Sequence, residues 1–150
     1  MKTLIFGTLC LALTGCVTVT RTVFYQMNEV DRVSSKSLKR MLWENEISRE
    51  ESILTSQILR GDLASYHLIQ LRGAEKNHMH EFHDLAVFVQ SGSGTMFLGN
   101  ESFKAGSGSV IFIPHGTWHA FVNSGPEPAV AIAVYSPGFD GKDIRYEEER

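Results

Sequence analysis

The chain has 150 residues, 43% of them hydrophobic and 21% charged, which is room for one domain of ordinary composition. A net charge of −3 and a pI near 6.1, with no Lys/Arg cluster interleaved with aromatics, exclude a nucleic-acid-binding surface. Both cysteines, Cys10 and Cys16, fall in the first sixteen residues, so the body of the chain has no disulfide, thiolate nucleophile or Cys-ligated zinc.

Met1-Lys2 is a short basic start, and residues 4–13 form an apolar run, below the roughly 20 residues a membrane span needs. The run closes on Leu13-Thr14-Gly15-Cys16, which resembles the lipobox of bacterial lipoproteins. That resemblance implies a signal peptide over residues 1–15 and a diacylglycerol on Cys16, with the mature chain beginning there. Val17, where Asp would imply inner-membrane retention, favours the outer membrane facing the periplasm; in a Gram-positive cell the box implies the outer face of the membrane. The membrane is then a partner through the lipid alone, since two or three acyl chains anchor stably.

Residues 16–33 are polar and lack a period, and read as the lipidated Cys and a tether. A single domain is expected over residues 34–150, with its core at about 62–136. It opens on a short helical or irregular segment. Leu38, Met41 and Leu42 have helical spacing, and Ser48 with Glu51 has the form of a capping box. Ile53-Leu54 and Ile58-Leu59 fit a strand about as well as a helix.

From Leu63 the pattern becomes short apolar or alternating runs, at residues 63–71, 85–90, 95–98, 110–113, 119–122 and 130–135. Gly- and Pro-bearing turns separate them, among them Ser91-Gly92-Ser93-Gly94 and Gly106-Ser107-Gly108. This predicts an all-β barrel or sandwich. Phe97, Phe112, Trp118 and Phe121 are expected to line or close it.

Histidines concentrate in two places, His78-Met79-His80 with His83-Asp84, and His115 with His119. In a strand, His78 and His80 project from the same face, a geometry that suits two imidazoles sharing a divalent cation. Gly108, Pro114, Gly116, His119 and Asn123 match the pattern Gly-x5-Pro-x-Gly-x2-His-x3-Asn at every fixed position. Gly73, His78, His80 and Gly92 follow Gly-x5-His-x-His-x3-4-Glu-x6-Gly with defects. Together these resemble the two motifs of the cupin superfamily over roughly residues 63–135. The resemblance implies a jelly-roll barrel, the double-stranded β-helix, with His78, His80 and His119 around one divalent metal (Fe, Mn, Ni or Zn). It also implies a small-molecule ligand or substrate, with dioxygenase or isomerase chemistry as one outcome and a non-catalytic binding barrel as the other. Pairing of two copies through sheet edges is a further expectation of the fold.

The departure is at the carboxylate. Counting forward from His80 reaches Asp84, which is taken as the fourth ligand; counting back from Gly92 reaches Leu85, which binds no metal. A one-residue shift in a strand reverses the face. The site is therefore either three His with Asp84 swung inward by a bulge, or three His alone with His83 nearby. His67 and His115 are expected to be hydrogen-bonded structural residues, and Glu75 and Glu81 lie close to the first motif without a defined role.

Overall fold

The computed structural model describes residues 22–27 and 32–147. The expected signal peptide over residues 1–15, Cys16 and Val17 lie outside the described residues. Up to Glu44 the described chain forms one small unit, and from Asn45 a second.

In the small unit, β1 (Val23–Met27) pairs antiparallel with β2 (Val33–Ser37), followed by helix α1 (Leu38–Glu44). Val23–Met27, within the expected tether, is thus a strand. Ser37 starts the helix as its N-cap, its Oγ accepting from the Arg40 amide at 3.3 Å. Exposed Lys36 and Arg40 both reach the Glu44 carboxylate.

The capping-box reading of Ser48 is half realised. The Glu51 carboxylate accepts from the Ser48 amide at 2.9 Å. No helix follows, because the chain enters strand β3 (Ile53–Arg60). The alternation of that strand resolves the ambiguity at Ile53-Leu54 and Ile58-Leu59 in favour of β structure.

The larger unit is two five-stranded antiparallel sheets. One has the order β3, β4 (Ser65–Leu71), β11 (Ala129–Ser136), β6 (Asp84–Ser91), β9 (Val110–Ile113). The other has the order β12 (Ile144–Tyr146), β5 (His78–His80), β10 (His119–Asn123), β7 (Ser93–Leu98), β8 (Glu101–Gly106). This is the all-β barrel that the turn-punctuated runs predict.

Strand alternation selects the core. Leu85 and Val89 on β6, Met96 on β7, and Ile111 and Ile113 on β9 are buried in one cluster, with Ala133 and Tyr135 of β11. The same alternation corrects the aromatic expectation. Phe112 lies between the inward Ile111 and Ile113 and is 60% exposed, and Phe97, next to the inward Met96, is 44% exposed. Phe121 does pack against the core.

Three fixed residues of the second motif, Gly108, Gly116 and Asn123, have a backbone reason. Gly108 (φ +87°) and Gly116 (φ +71°) occupy the left-handed region where a Cβ is strained. The Gly116 amide donates to the His80 carbonyl at 2.6 Å, fastening the 114–117 turn to β5. Asn123 closes the far end of β10, its side-chain amide donating to the carbonyls of Arg72 at 3.1 Å and Glu127 at 2.8 Å.

Candidate metal centre

The register places the histidines. His119 pairs with His78 across β10 and β5, so both side chains leave the sheet on one face. His80 shares that face by being two residues further along β5. Ring centroids are 4.3 Å apart for His78 and His119, 5.4 Å for His78 and His80, and 5.7 Å for His80 and His119. One ligating nitrogen from each lies within 4.8 Å of the others.

Each ring is oriented through its Nδ1. That of His78 donates to the Lys76 carbonyl at 2.9 Å, that of His119 to the Thr117 carbonyl at 2.8 Å, and that of His80 to Asp143 Oδ1 at 3.3 Å. These oxygens only accept, so the proton sits on Nδ1 and the Nε2 lone pair is free in all three. Burial pushes the His119 pKa down to about 4, with its Thr117 hydrogen bond opposing and its His78 and His80 neighbours assisting. Burial also lowers His80, against the opposing hydrogen bond and charge of Asp143. Neutral imidazoles with their Nδ1 protons held by oxygen acceptors are the form in which His binds metal. A divalent ion therefore fits this donor set.

Asp84 is not among these residues. Its Oδ1 accepts from the His115 amide at 2.8 Å and from His115 Nδ1 at 2.7 Å, and its side chain is 41% exposed. Hydrogen bonds from His115 hold its carboxyl below the usual range. The face is decided by the alternation of β6, on which Leu85, Val87 and Val89 turn inward and Asp84 turns outward. The β6 irregularity falls between Val89 and Ser91, at the opposite end of the strand from Asp84. Asp84 ties the 114–117 turn to β6, and Leu85 stands at the inward position.

A second group, His80, His83 and Asp143, has its potential ligand atoms within 4.8 Å of one another, and all three residues are buried. Hydrogen bonds account for that closeness. Asp143 accepts from His83 Nδ1, His80 Nδ1 and the Phe82 amide at 3.1 Å. Burial raises the Asp143 pKa, but these donors outweigh it and hold the carboxyl below its ordinary value. Asp143 thus positions His80, and sequence reasoning gives no sign of it. It lies sixty-three residues further on, after the last expected strand, and the pairing of β12 returns it to β5. His67 bonds Ser65 Oγ at 2.9 Å, the structural role expected of it.

Behind His78 and His119 a cavity of about 70 Å³ enters the barrel. Glu75 lines it, held beside β10 by donation from the Phe121 amide to Oε2 at 2.9 Å. Burial pushes the Glu75 carboxyl up, with His78 and the Phe121 amide opposing. Tyr135, also lining the cavity, stacks on Phe139 with centroids 4.7 Å apart, and burial holds its phenol protonated.

Two facing antiparallel sheets enclosing three histidines from β5 and β10 define the double-stranded β-helix class. Residues 66–135 match the family model described as Cupin domain, so this barrel is a cupin domain. A relative from Aquifex aeolicus (strain VF5), described as an uncharacterized protein, is 34% identical over 108 residues, covering 72% of this chain and 88% of its own. A Klebsiella pneumoniae protein with a double-stranded β-helix domain superposes with a TM-score of 0.62 at 22% identity, over 72% of this chain and 95% of its own. A Streptomyces PAC13 variant with uridine superposes with a TM-score of 0.60 at 18% identity, over 71% of this chain and 88% of its own.

Proposed function

We propose that this protein is a lipid-anchored cupin of the bacterial envelope that binds one divalent metal through Nε2 of His78, His80 and His119 and presents it to a small ligand in the barrel. The observation that carries this reading is the set of three acceptors, the carbonyls of Lys76 and Thr117 and the carboxylate of Asp143, that fix all three Nδ1 protons. Three Nε2 lone pairs gathered within 4.8 Å, with their Nδ1 protons already committed to oxygen acceptors, make a donor set that a divalent cation can share.

When bound, the metal supplies Lewis-acid polarisation of a ligand oxygen. The chain's own groups do the rest. The barrel wall excludes water, and Glu75, whose Oε1 is left over after Oε2 takes the Phe121 amide, is placed to accept or return a proton. That combination suits isomerisation or elimination beside a carbonyl or carboxylate. The neighbouring PAC13 fold, which holds uridine, supports occupancy of such a barrel by a small molecule. A non-catalytic binding barrel differs in giving ligand binding without turnover.

The anchor rests on Leu13-Thr14-Gly15-Cys16 behind the apolar run. The test is cell fractionation followed by metal analysis of the purified protein. Near-stoichiometric metal that disappears when His78, His80 and His119 are changed to Ala is expected, with the wild type in the membrane fraction and Cys16→Ala in the soluble one. Metal retained by the triple variant would remove the site, and membrane retention of Cys16→Ala would remove the anchor.

A further inference from the structure

The cavity behind the histidines is chemically lopsided. Its far wall is built by Leu85, Val87, Val89, Met96, Ile111 and Ile113, from strands whose backbone groups are committed to sheet pairing. Polar side chains in the lining are confined to Glu75, His78, His119 and Tyr135. Its volume of about 70 Å³ has room for about five to seven non-hydrogen atoms, at roughly 10–15 Å³ for each water-sized group, which is the carbon skeleton of a ligand whose oxygens stay at the histidines.

From this distribution we infer that the ligand is a small chelating acid with an aliphatic tail: a carboxylate next to a hydroxyl or carbonyl oxygen at the histidines, and three or four carbons against the aliphatic wall. The inference deepens the proposed metal site and rests on it. With Asp84 turned outward, the three ligating residues are all neutral, so a divalent ion held there keeps its full charge for an anionic two-oxygen head. The free Oε1 of Glu75 suits the proton of a hydroxyl beside that carboxylate. A polyhydroxylated tail is refused for a different reason. Each tail hydroxyl would lose its water and meet only methyl groups, lowering affinity by about tenfold or more. Sugars and nucleosides are therefore outside the class this barrel takes, although a barrel of the same fold holds uridine.

The experiment uses the purified full-length protein, loaded with zinc and assayed for metal content before any ligand is added. Calorimetric titration then compares 2-hydroxy-3-methylbutyrate with glycerate, which has the same head and a hydroxylated tail. The branched acid is expected to bind at least tenfold more tightly, and uridine not at all. With metal bound, equal or tighter binding of glycerate, or no binding of either acid, would overturn the inference and leave the metal site standing. Failure to take up zinc would overturn both. The variant Val87→Phe, which fills the aliphatic end, is expected to keep its metal and lose at least tenfold in affinity for the branched acid.

Discussion

The chemistry of the site depends on which nitrogen of each imidazole carries its proton, and three oxygen atoms decide it. Two of them are carbonyls two residues before their own histidine, Lys76 for His78 and Thr117 for His119, so that part of the geometry travels with the strand. The third, Asp143, is brought by β12 and also holds His83. Asp143→Asn replaces one acceptor oxygen with a donor and cannot serve both histidines. It is expected to weaken zinc affinity by about 10–100-fold. Asp84→Ala should leave the affinity unchanged, since that carboxylate is spent on His115; competition with a metal chelator measures both. Acid should act through His119 in the metal-free protein. Its folded pKa of about 4 lies below the ordinary histidine value of 6.5, so between them the unfolded chain binds more protons. Stability is then full above about pH 6.5 and falls by on the order of 1 kcal/mol per pH unit as the pH drops towards 4. Urea denaturation at about pH 7.5 and pH 5 checks this, and equal midpoints would contradict it. The three histidines were legible because their spacing belongs to a local pattern. Asp143 was not, because its contact spans sixty-three residues and a strand of only three. For the carboxylate position, counting back from Gly92 points to Leu85, the residue that faces inward, and counting forward from His80 points to Asp84, which faces out.

At the scale of elements, the barrel was readable because its turns announce themselves and its strands alternate. The alternation also held information that composition obscured. Phe97 and Phe112 read as core by residue type, yet each adjoins inward-facing neighbours and so must face outward. The capping box at Ser48 and Glu51 makes the local hydrogen bond it implies and still precedes a strand, because pairing of β3 with β4 along seven register positions outweighs a cap. Glycine spacing carries a further consequence. Gly94 pairs with Asn123 between β7 and β10, and a Cβ there would stand 2.2 Å from the Val122 carbonyl oxygen and 2.5 Å from the Phe121 ring. Gly94→Ala must push β10 away and is expected to cost about 3 kcal/mol or more, with loss of zinc affinity because His119 lies on that strand. Gly108→Ala meets nothing within 4 Å and carries only the strain of φ +87°, about 1–2 kcal/mol. Chemical denaturation of the two variants separates clash from strain.

Over the whole molecule, the larger unit is a barrel with a polar mouth and an aliphatic interior, and the proposed lipid anchor precedes it in the chain. The two histidine motifs could be read because each is a short contiguous pattern. The shape of the cavity could not, since its wall draws residues from β4, β6, β7, β9 and β11. The separation of the two histidine groups is equally a product of folding, because His80 belongs to both and only its hydrogen bonds show which nitrogen is committed. The central claim is that Nε2 of His78, His80 and His119 is the free set. Long-range proton–nitrogen correlation spectra of histidine-labelled protein, recorded before and after one equivalent of zinc, test it most directly. The account predicts Nδ1-protonated tautomers for these three rings in the metal-free state and zinc-induced shifts at their three Nε2 resonances, with His83, His67 and His115 keeping theirs. Zinc-induced shifts at Nδ1 of His80 and His83 would place the metal on Asp143 and contradict the account.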